Sequence, residues 1–144
     1  MRVVHVPDGG ESTQEDDAAE REHTADRTIL ATDVEVAEST LALAKGLRFR
    51  SSIPEDYAFV MDVGGGSLGP FSVDATLTTV DMLFVRFPID VVWLRDGSVV
   101  KVKTMRPWRS VGAARADRIV ELSAGAAEDV EIGDAVLIED SPSE

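Results

Sequence analysis

The sequence predicts a mostly β fold, a compact single-domain sandwich or barrel of short strands with one or two small helices. Short runs of β-branched and apolar residues are separated by turn chemistry at close spacing, and Val99 to Lys103 shows the alternation of a half-buried strand. No internal repeat competes with that reading, and many short strands with tight turns belong to sandwiches and barrels.

Taken in order, Val3, Val4 and Val6 suit a short strand ahead of a polar, acidic segment that fills most of residues 1–27. From Asp8 to Asp26 that segment has no Val, Ile, Leu or aromatic residue, so it buries too little to offset its ordering entropy. It reads either as a flexible tether between strands or as a disordered tail. The β-rich globular domain spans 28–140, with 141–144 a disordered tail. Thr28 to Ala31 and Val34 to Ala37 are strands around a turn at Thr32-Asp33. Ser39 caps a helix over 40–45 that Gly46 ends. Tyr57 to Met61, Thr76 to Val80, Met82 to Phe87 and Ile89 to Leu94 follow as strands, the last two divided by Pro88. Arg95-Asp-Gly-Ser98 is a hairpin turn, because Asp-Gly tolerates the positive φ of a type I′ loop. Val99 to Lys103 returns, 105–116 forms a long arginine-bearing loop, and Arg118 to Leu122 is a strand. A short helix over 124–129 and a last strand over 135–138 complete the reading.

The 144 residues suit one domain, which buries roughly 70% of its unfolded surface without help from a metal or disulfide. There is no cysteine, so disulfides, cysteine–zinc sites and thiol nucleophiles are all excluded. The net charge is −13, from 27 acids and 14 bases. Phosphate backbones and anionic membranes both need a basic face, so neither nucleic acid nor membrane is an expected partner. Lysine occurs only at 45, 101 and 103, and so acidic and lysine-poor a surface suits high salt, where its self-repulsion is screened. No signal-peptide core or membrane span is visible, which points to a cytoplasmic protein.

Two famous glycine motifs overlap in the loop at 64–69. Gly64-x-Gly66-x-x-Gly69 fits a dinucleotide fingerprint and Gly65-x-Ser67-x-Gly69 a nucleophile elbow. Both need a helix directly afterwards, whereas Pro70 to Val80 is β-like, and no histidine follows to complete a triad. Neither motif is functional. His5 and His23 sit in polar surroundings as solvated side chains, and Asp81, Asp90 and Asp96 reach a common cation only if their strand ends converge. No cofactor or metal is expected.

One constellation stands out against the acidic background. Between Lys101 and Arg118 lie six bases and a single acid, Asp117, with Trp108 inside Arg106-Pro-Trp-Arg109. Two guanidinium forks beside a planar ring can grip a carboxylate or phosphate and stack a ring or sugar. The competing reading pairs these arginines with surface carboxylates and lays Trp108 over the edge of the core.

Several segments together are similar to a known family: Val34-Glu-Val-Ala37, Gly46-Leu-Arg-Phe-Arg50, Met82, Phe87-Pro-Ile-Asp-Val-Val-Trp-Leu94, Asp96-Gly-Ser-Val-Val100, Val120-Glu-Leu-Ser-Ala-Gly125 and Ile132-Gly-Asp134. In this order they resemble the domain of unknown function 192. Arg48 stands where the family usually has methionine, and Val85-Arg-Phe replaces its Met-Lys-Asn. The resemblance implies a small, mostly β domain and no established activity.

The leading expectation is a non-enzymatic binding or accessory domain. Its face around Arg106, Trp108 and Arg109, with Arg86 and Asp90 as further ligand-binding residues, contacts a small anion or an acidic protein segment. The alternative is a hydrolase-like enzyme using Asp90 with Arg86 or Arg106, since a carboxylate in an apolar strand can titrate usefully. Asp90 also suits a purely structural role, satisfying backbone donors next to the bend at Pro88. A third reading, a structural partner of another protein, would show as a contiguous exposed apolar patch.

Overall fold

The computed structural model describes residues 1–8, 27–37, 46–62 and 77–140. The expected helix over 40–45, the glycine loop and most of the polar segment lie outside the described residues. The described residues form ten strands: β1 Arg2–Val6, β2 Thr28–Ala31, β3 Asp33–Val36, β4 Tyr57–Asp62, β5 Leu77–Asp81, β6 Ile89–Arg95, β7 Ser98–Met105, β8 Val111–Arg115, β9 Arg118–Ser123 and β10 Ala135–Glu139. Eight form one sheet in the order β2-β1-β10-β7-β6-β9-β4-β3, and β5 pairs with β8 in a second.

The order of the large sheet makes it close on itself. Its two edge strands, β2 and β3, are consecutive in the chain, so the Thr32 bend carries the backbone from one edge straight to the other. The Asp56 carbonyl accepts from both Thr32 N and Asp33 N at 2.9 Å and holds that crossing. The expected turn is there, but its strands do not pair with each other. β2 pairs antiparallel with β1, and β3 runs parallel to β4. Side chains from all eight strands meet in one cluster that includes Val3, Ala31, Val34, Val60, Val92, Val102, Val120 and Val136, which is the interior of a barrel.

A second apolar cluster lies outside β4, β9 and β6, where Phe59, Val91, Trp93 and Ile119 pack under the β5–β8 pair and the segments around Leu47 and Met82. Trp93 is wholly buried, and its indole N–H donates to the Thr78 carbonyl at 3.3 Å. Gly112 is required above it, because a Cβ there would stand 2.7 Å from the indole ring. Lys101 and Lys103 join the two layers by donating to the carbonyls of Ala113 and Val111, each at 3.0 Å. Half of the supposed loop at 105–116 is therefore strand β8, because these side-chain donors and β5 satisfy its backbone.

Two further expectations are corrected. Residues 82–88 form an irregular segment and not a strand, since Met82 N donates to Ser110 O and Phe84 turns to a left-handed backbone. Residues 124–129 form successive turns instead of a helix, with Gly125 at φ 93° interrupting any helical run. The Asp96-Gly97 hairpin is as expected, with φ of 51° and 81°. Val100 is an extra residue in β7, so the alternation of valine and lysine begins only after it.

Candidate aromatic and arginine binding face

Three segments outside the barrel, 46–50, 81–87 and 106–110, converge at the end where β7 finishes and β6 begins. Phe49 N donates to Phe84 O, Trp108 N to Met82 O and Val85 N to Met82 O, at 3.0–3.1 Å. This framework places Phe49 against Phe84, with centroids 5.2 Å apart and planes 27° apart. Trp108 meets Phe84 edge-on at 5.4 Å. The three rings remain 61%, 42% and 49% exposed in the order Phe49, Phe84, Trp108, and Leu83 beside them is 51% exposed.

All three aromatic residues have left-handed backbones, with φ of 68° at Phe49, 63° at Phe84 and 69° at Trp108. For bulky residues that conformation costs about 1–2 kcal/mol each. The two ring contacts return about 0.5–1.5 kcal/mol apiece. Strain therefore at least matches the gain from stacking, and the rings are half in water. The fold spends stability to present them.

Carboxylates brace the framework. Arg48 grips Asp81 through both nitrogens at 2.8 Å, and its Nη1 also donates to Leu83 O at 2.7 Å. Asp81 in turn accepts from Leu83 N at 3.0 Å. The hydrogen bond from Arg48 holds the Asp81 carboxyl below its ordinary range. On the other side of Phe49, Arg50 donates to Glu35 at 2.8 Å, and the Tyr57 hydroxyl donates to the same Glu35 oxygen. Burial, then that hydrogen bond, pushes the Tyr57 phenol well above its usual value. Beneath this layer Glu121 stands on β9 in register with Phe59 and Val91, 5% exposed, and its Oε2 has no hydrogen-bond partner among the described residues. Burial raises its carboxyl to about 7, with Arg48 and Arg50 pulling it down and Asp81 pushing it up.

The sequence-predicted residues divide. Trp108 lies in the face, and Arg106 and Arg109 flank it on an exposed turn tied by Arg106 N to Ser110 Oγ at 2.8 Å. Arg86 is exposed on the same irregular segment as Phe84. None of these three arginines forms an ion pair with a described residue. Arg118 pairs with Asp62 at 2.6 Å, and Lys101 and Lys103 serve β8, so the basic run does not act as one unit. Asp90 is elsewhere: 2% exposed, it accepts from Thr104 Oγ1 at 2.7 Å and from Gly125 N and Ala127 N at 2.9 Å. It fastens the turns that plug the barrel. Asp81, Asp90 and Asp96 do not converge, and His5 is not solvated but buried in β1 against Asp134 at 2.7 Å. Phe49, Leu83 and Phe84 were not singled out by sequence reasoning; an aromatic ring between two arginines in Gly46-Leu-Arg-Phe-Arg50 was the available signal.

Clefts of about 450 Å³ occur away from the rings, one lined by Asp62, Asp96, Asp117 and Arg118 at the opposite end and one between Thr28–Leu30 and Ser123–Ala126.

A family model, Uncharacterized ACR, matches residues 21–138, most of the chain. The protein belongs to the DUF192 family. No curated protein matches this DUF192 chain. Its fold is shared with a crystal structure of a protein of unknown function from Novosphingobium aromaticivorans DSM 12444. The TM-score is 0.67 at 17% identity, over 96% of this chain and 84% of that one. A crystal structure from Sinorhizobium meliloti 1021, described as a "putative transcription regulator", is similar at TM-score 0.66 and 17% identity, over 94% and 92%. At that identity the likeness is one of fold. Among the described residues of this DUF192 domain no helix is long and apolar enough to cross a membrane.

Proposed function

We propose that this DUF192 domain is a non-enzymatic binding domain whose aromatic and arginine face takes an acidic protein segment. The observation that carries the proposal is the stack of Phe49, Phe84 and Trp108, held exposed at a cost in backbone strain beside Arg106 and Arg109. Exposed Trp, Phe and Arg side chains are the composition of protein-binding hot spots. Small molecules prefer enclosed pockets, and half-exposed rings standing out from the surface fit a chain laid across them better. Arg106 and Arg109 meet the segment's carboxylates, and the rings take its apolar side chains.

The net charge of −13 opposes a long-range approach by an acidic partner. High salt removes that opposition, since the Debye length shrinks to about 3 Å at 1 M, while ring contacts persist. The hydrolytic alternative loses its base, because Asp90 is closed to solvent and fully engaged.

Calorimetry in concentrated potassium chloride, with a short synthetic peptide of alternating glutamate and leucine as probe, tests the proposal. Saturable binding that falls at least tenfold in Arg106→Ala/Arg109→Ala is expected. Binding unaffected by that double substitution, or saturable binding only of nucleotides or sugar phosphates, would overturn it.

A further inference from the structure

Glu121 has no assigned part in binding, yet it lies directly under the braces of the face. Its Oε2 is the buried carboxylate oxygen without a partner among the described residues. β4 and β6 present only Phe59 and Val91 beside it in register. Lys103 shares that register row one strand further on, but its ammonium is turned to Val111 O. Among the described residues, the charged groups that act on Glu121 from the covering layer are Arg48 and Arg50 on segment 46–50 and Asp81 on β5. Arg50 is committed to Glu35, which also receives the Tyr57 hydroxyl. Arg48 is the guanidinium that bridges Asp81 to Leu83 O and so fixes the backbone on which Phe84 sits.

We propose that Glu121 is a proton-operated latch for the binding face: protonated, it leaves Arg48 on Asp81 and Leu83, and ionised, it draws Arg48 inward and releases Phe84 with its two neighbours. An ionised carboxylate sealed under the layer with Oε2 unpartnered is costly, and the cations among the described residues that act on it, Arg48 and Arg50, are both braces of the face. Once Arg48 leaves Leu83 O, the left-handed turn at Phe84 loses its anchor, and Phe49 N and Trp108 N lose the carbonyls they depend on. Burial places this transition near neutral pH, where the proton passes to solvent. The proposal rests on the reading of the aromatic residues as a binding face, but the latch itself is measurable in the free protein.

Amide hydrogen exchange of the ligand-free chain, expressed as protection factors at pH 5.5 and 8.5, provides the test. Protection at Phe49, Val85 and Trp108 should fall at the higher pH at least tenfold further than protection at Val92 and Val120 in the barrel, which follows only the global stability. In Glu121→Gln the same amides should stay protected at both values. Equal protection at both pH values, or an equal loss in Glu121→Gln, would overturn the latch. If that variant does not fold, the wild type decides instead: protection at the three amides that falls with the midpoint of the Glu121 carboxyl carbon shift supports the latch, and a Glu121 midpoint near 4.5, the ordinary glutamate value, removes it. None of these outcomes depends on peptide binding, so the latch and the binding face can fail separately.

Discussion

At one end of the barrel, Asp96 and Gly97 adopt left-handed backbones inside a hairpin; at the other, Phe49, Phe84 and Trp108 do so in short turns outside any hairpin. The first case is local chemistry, since aspartate and glycine tolerate that conformation and a type I′ hairpin demands it. Around that turn the charges are also settled: Arg118 pairs with Asp62, and Asp117 accepts from Asp96 N at 2.9 Å. The aromatic end has the same backbone geometry on residues that resist it, held by local turn bonds such as Val85 N to Met82 O together with the long-range bonds of Phe49 N and Trp108 N, and its Arg106 and Arg109 form no ion pair with a described residue. A left-handed turn on residues that tolerate it marks a fold. The same turn forced on exposed aromatic residues marks a surface kept for contact.

Several changes would break or sharpen this contrast. The largest concerns the barrel that carries both ends. Asp90→Ala strands two backbone N–H groups and the Thr104 hydroxyl, and should cost about 3 kcal/mol or more in denaturant unfolding. A loss below about 1 kcal/mol would mean the plug is anchored otherwise.

Next comes pH. The folded Glu121 holds its proton to about 7 against 4.5 unfolded, so the folded state binds more protons in that window. Stability must then fall as pH rises from about 4.5 to 7, by up to about 3 kcal/mol, and level off above. Unfolding of Glu121→Gln should lack this decline. Asp81 acts in the opposite sense: its depressed carboxyl stabilises the fold above the ordinary aspartate value, a contribution lost as pH falls through its folded one. A stability profile flat from pH 5 to 8 in the wild type would contradict the burial assigned to Glu121.

Smaller still are glycine replacements at the strained positions. Trp108→Gly relieves about 1 kcal/mol of backbone strain and forfeits a ring contact of similar size, so stability should move by no more than about 1 kcal/mol. Peptide affinity should nonetheless fall at least tenfold. Asp96→Gly, the matched control at the other end, should leave both nearly unchanged. The smallest effect belongs to Arg118→Ala, whose exposed pair with Asp62 is worth about 0.5 kcal/mol, and thermal melting should barely register it.

Most of the fold was legible in the sequence, for reasons that differ by element. The strand at Ile89–Arg95, the Asp96-Gly97 hairpin and the return through β7 follow from apolar runs and turn chemistry acting over a few residues. The β8 strand was hidden, because Val111–Arg115 has little apolar signal and its backbone is satisfied by Lys101, Lys103 and β5. Met82 to Phe87 read as a strand because its side chains are apolar, yet Leu83 and Phe84 point them at solvent. Of the face, Trp108 and its flanking arginines were visible as a basic cluster in an acidic chain. Phe49 and Phe84 were not, since stacking between residues 35 positions apart is set by tertiary bonds that no local pattern encodes.

The most direct test of the binding face is chemical-shift mapping of the isotopically labelled chain in concentrated potassium chloride, titrated with the glutamate–leucine peptide. Perturbations gathered on Phe49, Phe84, Arg106, Trp108 and Arg109, with the Asp96-Gly97 end silent, are the predicted result. Perturbations centred on Asp62, Asp96 and Asp117, or none at saturating peptide, would contradict it.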